Sequence, residues 1–504
     1  MMPLPKPYPP NEIDYQDWDD LSDNYAGKAA TLIVDAGGKG DHSTIQEAVD
    51  ALPSTSAGEV LVKGGTYTLT RAVLIENRED LVIRGVGKAT ELKVANKVQE
   101  LIATDAASGQ KNVIVADGSS LAVGQHVCVR DDSAFEVNRI TSINGNTLTM
   151  EDNLASQYDV SDNGRVYTCH SAIYITGSSK RIRIHNLLVE GNRANQEFSR
   201  EGYFPDEHQG DGIRLSAATE SCVVEGCWIK SAAGHGICAG GVGHRFAHNE
   251  CWDNEYDGVN VEPGCDRVLV LGNHCHDQNS WNGIQVGYGN NGIGTVSVIG
   301  NHCHGNRQGI AAQGGANVEI VGNVLQDNVE DGIEIWSMDR FVISGNVISG
   351  ADDVSDMTGA GIHVEQVSSV GLITGNLIEL CAGHGIHLQD AAYVTVTGNT
   401  IRKVTKHGVN LSGDSARDCV ISGNTVIGAD QGDTATYNGI AVAGDRCCIT
   451  GNRLDDCDKY AIHITSASDR TLCLGNHCYQ YTGVPVGAIL DEGTNTTIDH
   501  NVTA

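Results

Sequence analysis

The sequence predicts an all-β chain: a right-handed parallel β-helix solenoid with an N-terminal capping helix and a small inserted β-module. Two repeated phrases and one periodicity predict it. A Gly-Asn pair recurs at Asn192, Asn273, Asn301, Asn323, Asn346, Asn376, Asn399, Asn424, Asn452 and Asn476, and His-Asn replaces it at Asn249 and Asn501. A second phrase falls between successive pairs: GIRL from 212, GVNV from 258, GIQV from 283, GIEI from 332, GIHV from 361, GIHL from 385, GVNL from 408 and GIAV from 439. The spacing is about 22 residues where connections are short, within the range of solenoid repeats. Between the phrases, apolar residues alternate with polar ones and are broken by Gly, Asn or Asp, which is strand periodicity without a helical period. So short a unit cannot bury its apolar face alone, whereas stacked coils share one core.

The elements follow in chain order. Residues 1–30 read as an arm, Pro-rich and then acidic, with Tyr15, Trp18 and Tyr25. Residues 31–97 hold the cap and the first coils. Here Ser43-Thr44-Ile45-Gln46-Glu47 opens a short helix with a capping box. Ile45, Ala48, Val49 and Leu52 form the stripe that would cover the end of the core. Residues 98–168 break the repeat; alternating strands and Asn144-Gly145 as a hairpin turn make them an inserted β-module. Regular coils run over 169–504. The end, TIDHNVTA, shows no cap, so an exposed sheet edge is expected to be covered by another copy.

At each bend the Asn is expected to bond neighbouring backbone in a stacked ladder, helped by its tolerance of left-handed backbone. The strand after it would send Val324, Val347, Leu377, Cys275, Cys303 and Cys478 into a core column. The motif GNHCH at 272–276 and again at 300–304 suggests metal. Strand alternation, however, separates histidine from cysteine, and zinc needs four convergent ligands. Cys275 and Cys303 are therefore read as small core hydrophobes, His274, His302 and His477 as outward, and no metal is expected there.

Composition narrows the functional classes. The net charge is −31, from 33 Lys and Arg against 64 Asp and Glu. That argues against nucleic acid and anionic membrane as partners. The 61 Gly, 9 Pro and 5% aromatics suit tight coils filled by aliphatics. The 16 Cys, many in core positions, read as reduced thiols and not as a disulfide framework. The first twenty residues lack the apolar segment of a classical signal peptide.

In each G-I-x-V phrase the two aliphatics point inward, so x and the residue after the phrase point outward. The x column reads Arg214, Cys238, Asn260, Gln285, Ala311, Glu334, His363, His387, Asn410, Ala441 and His463. The next reads Ser216, Ala239, Glu262, Gly287, Gln313, Trp336, Glu365, Gln389 and Ser412. Coils stack about 4.8 Å apart. Glu334, Glu365, His363 and His387 therefore gather within three coils as candidate catalytic groups. Trp336, Gln389, Asn410, Gln285, Glu262 and Arg214 are candidate glycan contacts. Two carboxyls with imidazoles suit glycosidic cleavage: one donates a proton to the leaving oxygen and a second group serves as base or nucleophile. A second candidate site joins Tyr203, Asp206, Glu207 and His208 to Asp211, His235 and Asp257. Asp352, Asp353 and Asp356 in the loop before His363 are a candidate calcium set, against the plainer reading of a solvated acidic loop; no cofactor is required.

GKGDHSTIQEAVDALP at 38–53 resembles the start of pectin methylesterases and pectate-lyase-like β-helices. Residues 188–258, with GDGIRL, GHGICAGG and DNEYDGVNV, look like the catalytic module of mannuronan C5-epimerases. That family carries Asp-Pro-His where this chain has Cys238-Ala239-Gly240. An arm followed by a capped β-helix resembles phage tail-spike depolymerases. These resemblances imply a polysaccharide-cleaving enzyme, virion-associated or extracellular and homotrimeric. Hydrolysis is favoured over elimination, because Arg214 is the one cation in the outward columns. The alternatives are a lyase or C5-epimerase acting on uronates, and a non-catalytic glycan-binding spike.

Overall fold

A computed structural model describes residues 30–196, 210–289, 292–351, 359–367, 370–430, 436–479 and 487–503. Forty-one strands form one hydrogen-bonded network in which each coil pairs in parallel with the next. Three strand positions repeat. The first holds the G-I-x-V phrases, with Ile310, Ile333, Ile362 and Ile386 as one-to-one partners. The second runs through Val268–Leu271 and Ile293–Ile299. The third follows the Gly-Asn bend, through Glu250–Trp252, His274–His276 and His302–His304. One apolar core runs along the stack, from Val34 to Cys478.

The bend is built by an unbroken Asn ladder from Asn249 to Asn501. Asn323 is typical: its Oδ1 accepts from the Asn301 backbone N–H at 2.8 Å and from Asn301 Nδ2 at 3.0 Å. Its Nδ2 donates to Val298 O at 3.0 Å and to Asn346 Oδ1 at 2.9 Å. The left-handed residue is the one before the Asn, as at Gly322 with φ 64°, and His248 takes that role at φ 56°. The glycine that opens each G-I-x-V phrase has another reason. A Cβ on Gly332 would meet Ile348 Cγ2 at 2.3 Å and Gly361 O at 2.7 Å, so only glycine lets the coils close.

Three placements differ from expectation. Val324, Val347 and Leu377 follow the Asn by one residue and are not in the core; Leu325, Ile348 and Ile378, two after it, are fully buried. Both positions are apolar, so composition does not reveal the slip. Ala239 pairs with Leu215 and Val261 and lies in the core, because it is the inward residue of its phrase. The tight turn is Gly145-Asn146, since Asn144 is already paired with Thr147. Cys275 and Cys303 are fully buried thiols.

A helix covers Ile45–Ala51. Thr44 accepts from the Glu47 N–H and Glu47 from the Thr44 N–H, each at 3.2 Å. Its Ile45, Ala48 and Val49 join the long core. Six strands between Gln99 and Thr168 form a separate antiparallel sheet around Ile102, Val113, Ile140, Leu148 and Tyr158. The solenoid continues past them, with Val73 paired directly to Ile173. The arm, and Tyr15, Trp18 and Tyr25 with it, lies outside the described residues.

Candidate functional site

Parallel register brings the first candidate set together. Glu334, His363, His387 and Asn410 are successive Cα partners, and beside them run Trp336, Glu365, Gln389 and Ser412. Trp336, Glu365, Gln389 and Asn410 are half-buried. His363 and His387 face outward yet are only 4% and 5% exposed. Their rings stack at 4.9 Å with 5° between planes. His387 Nε2 lies 3.0 Å from Ser412 Oγ.

The residue that completes the cluster is Asp331. It precedes the glycine of its phrase and is fully buried. Its Oδ1 accepts from the Ala360 N–H at 2.8 Å, and Oδ2 lies 3.4 Å from His363 Nδ1. His363 Nε2 is buried and has no hydrogen-bond partner. Glu334 accepts from Gln313 Nε2 at 2.9 Å. Arg307 stands over the Trp281 ring at 5.1 Å, and its charge reaches Glu334.

Each titration follows from these contacts. Burial raises the Glu334 carboxyl, and the Asp331 charge adds to it against Gln313, His363 and Arg307. Burial alone would lower His363. The Asp331 contact, with the charges of Glu334 and Glu365, outweighs it and raises the imidazole above its ordinary value. Burial pushes His387 down to about 3, with further repulsion from His363. The three groups are thus a protonatable acid, an imidazole oriented by a carboxylate, and a neutral ring against it.

Asp331 belongs to a column that sequence reasoning missed. The residue before each phrase glycine is polar in most coils: Asp211, His235, Asp257, Asn282, Gln308, Asp331, His384, His407 and Asn438. The side chain of one coil accepts the backbone N–H of the next. His235 N–H donates to Asp211 Oδ1 at 2.8 Å, Asn282 N–H to Asp257 Oδ1 at 2.9 Å, and Asn438 N–H to His407 Nδ1 at 2.8 Å. This second ladder explains the burial of these groups. At Asp331 it fixes one oxygen and leaves the other to His363. The recurrence of Asp-Gly-Ile or Asp-Gly-Val at 211, 257 and 331 was the available signal.

The second candidate set forms a closed network. Arg214 Nη1 lies 3.1 Å from Asp211 Oδ2 and 3.3 Å from Cys238 Sγ, and Nη2 lies 3.3 Å from Glu262 Oε1. His235 Nδ1 is 3.1 Å from Asp257 Oδ2 and 3.2 Å from the Asp257 N–H. It cannot donate to the first and accept from the second at once, so whether Nδ1 carries a hydrogen decides its partner. Burial raises Asp211, against His235 and Arg214. Ligand atoms of Asp211, His235 and Cys238 lie within 4.8 Å of one another, but the Arg214 guanidinium bonds two of the three and holds the place of a cation. Gln285, 3% exposed, accepts from Asn282 Nδ2 at 2.7 Å. Arg214 and Gln285 are therefore not presented to solvent as the alternation implied. Tyr203, Asp206, Glu207 and His208 lie outside the described residues, as do Asp352, Asp353 and Asp356.

Residues 211–369, 282–438, 325–478 and 384–503 match the profile of the right handed beta helix region. The chain belongs to that family. Among solved structures it is similar to the tailspike of E. coli bacteriophage HK620, a mutant in complex with a hexasaccharide. Identity is 12%, the TM-score 0.57, and the match covers 95% of this chain and 80% of that one. It is also similar to the pre-mature gene product 12 of bacteriophage phi29, at 13% identity and TM-score 0.59 over 96% of this chain and 58% of that one. The mannuronan C-5 epimerase AlgE6 A-module of Azotobacter vinelandii matches at 14% identity and TM-score 0.42, over 91% and 94% of the two chains. No curated protein matches the sequence. Among the described residues no helix is long and apolar enough to cross a membrane.

Proposed function

We propose that the chain cleaves a polysaccharide laid along the first strand face, by hydrolysis at Glu334 and His363. The observation that carries this reading is the buried, unpartnered His363 Nε2, on a ring whose Nδ1 lies 3.4 Å from Asp331 Oδ2, beside a carboxyl of raised pKa. A buried polar atom without a partner is costly and calls for a role. Neutral His363 takes a proton from water at Nε2, and the resulting hydroxide joins the anomeric carbon. Glu334 gives its proton to the leaving oxygen as the glycosidic C–O bond breaks. Glu365 offers a carboxylate to the developing oxocarbenium charge, and Trp336 a face for the sugar ring. His387 acts as a positioning residue, stacked on His363.

A second reading, β-elimination on a uronate, draws on Arg307, a cation near Glu334 that was not counted among the outward columns. Release of reducing ends from a glycan panel tests cleavage, and new absorbance at 235 nm marks elimination. Absence of both products with every glycan bound would leave a binding spike.

The HK620 tailspike, solved with a hexasaccharide, shows that this fold can hold a glycan, and a virion-associated or extracellular setting is part of the reading. So are the roles of helix Ile45–Ala51 as a cap, of the antiparallel sheet as an inserted module, and of a homotrimeric assembly. Leu472, Ile498 and Val502 are 41–45% exposed, apolar surface that a second copy would cover.

A further inference from the structure

The third strand face holds a cluster that the cleavage chemistry does not use. In register, Glu250, His274 and His302 follow one another, and beside them Trp252, His276 and His304. Alternation does separate these histidines from Cys275 and Cys303. It also puts both histidines of each HCH triplet on the same outward face, and stacking the two triplets gathers four imidazoles. The rings of His274 and His302 lie 4.9 Å apart, as do those of His276 and His304, and those of His274 and His276 lie 4.4 Å apart.

We propose that His274, His276, His304 and Glu250 bind one divalent transition-metal ion, of the zinc class, across three successive coils. His274 Nε2 and His304 Nε2 are 2.9 Å apart, and His276 Nε2 is 3.7 Å from Glu250 Oε1. Tetrahedral zinc with bonds of about 2.0 Å to nitrogen needs ligand separations of about 3.3 Å, and the two observed pairs bracket that value. Ligand atoms of Glu250, His274 and His276 already lie within 4.8 Å of one another.

Two further observations point to a ligand. His276 Nε2 is buried and lacks a hydrogen-bond partner. His276 Nδ1 lies 2.8 Å from Asp277 Oδ2, the carboxylate contact that orients a metal-bound imidazole and leaves Nε2 for the ion. The surroundings hold the set in place. Lys88 contacts Glu250 Oε2 at 3.3 Å, leaving Oε1 for the metal. Trp252 stacks on His276 at 6.0 Å with 3° between planes. Gln326 Oε1 lies 3.2 Å from His302 Nε2, which makes His302 a wall and not a ligand. Three imidazoles and one carboxylate suit zinc, cobalt or nickel better than calcium, which takes oxygen ligands.

The test uses the untagged full chain, stripped with chelator, dialysed against zinc and assayed by elemental analysis. Wild type should retain one zinc per chain, and His276→Gln and His304→Gln should retain none. Cys275→Val and His463→Gln should retain it in full. Cobalt in place of zinc should give the visible absorption of a four-coordinate ion in wild type only. Zinc should raise the thermal midpoint of wild type and not of the histidine variants. If His276→Gln fails to fold, Glu250→Gln answers the same question. A wild type that retains no zinc, or histidine variants that retain it fully, would overturn the site. The readout does not depend on any glycan activity.

Discussion

Replacing Asn323 by alanine removes one rung from the middle of the Asn ladder. Four hydrogen bonds go with it: two accepted from Asn301, one donated to Val298 O and one donated to Asn346 Oδ1. Asn346 Oδ1 still accepts from the Asn323 backbone N–H at 2.9 Å, so it is not orphaned. The Asn301 backbone N–H and one Asn301 amide hydrogen are, whereas the Val298 carbonyl lies in a strand paired on both sides. Asn301 and Asn323 are 1% and 0% exposed, so water does not replace the lost partners without opening the coil. At about 1–3 kcal/mol for each of the two buried groups left unsatisfied, the expected loss is about 2–6 kcal/mol. Guanidinium denaturation followed by circular dichroism measures it. The matched control is Asn501→Ala at the last rung, where the side chain is half-buried and solvent can take over; about 1 kcal/mol is expected there. A loss below 1 kcal/mol for Asn323→Ala, with an unchanged denaturant slope, would refute the argument and leave the left-handed glycines as the sole source of the bend.

Glu334→Gln and Glu365→Gln should each abolish cleavage with little change in thermal midpoint; near-full activity in both would remove the site from this face. His363, raised above its ordinary value, binds a proton in the folded chain that the unfolded chain has released. The stability it adds is complete below about pH 6.5 and is lost as pH rises through its folded pKa, while activity should rise over the same interval as Nε2 becomes a base. His363→Gln should abolish both slopes, and an unaltered midpoint-against-pH curve would show that Asp331 does not hold the proton there. Cys303→Val should fold normally and bind no less zinc than wild type, checked by elemental analysis. A homotrimer should appear in light scattering, and a monodisperse mass near one 53.3 kDa chain would exclude it.

By itself the sequence determined the solenoid, its register and the Glu334–His363–His387 column. In parallel stacked coils the pairing is one-to-one, so two phrases that recur with a constant internal spacing decide which residues become neighbours. Inward and outward directions followed wherever one strand position was polar and the next apolar. They failed at Val324 and Leu325, where both are apolar and only packing chooses. Tertiary structure alone decided three things. Asp331 lies at a bend, where side-chain direction follows from how the chain enters the strand and not from a period of two. Arg214 and Gln285 are outward in pattern but covered in fact, since burial depends on what neighbouring coils place over them. The four histidines meet because two short triplets stack in register, and packing between the coils, not the sequence pattern, brings His274 Nε2 within 2.9 Å of His304 Nε2.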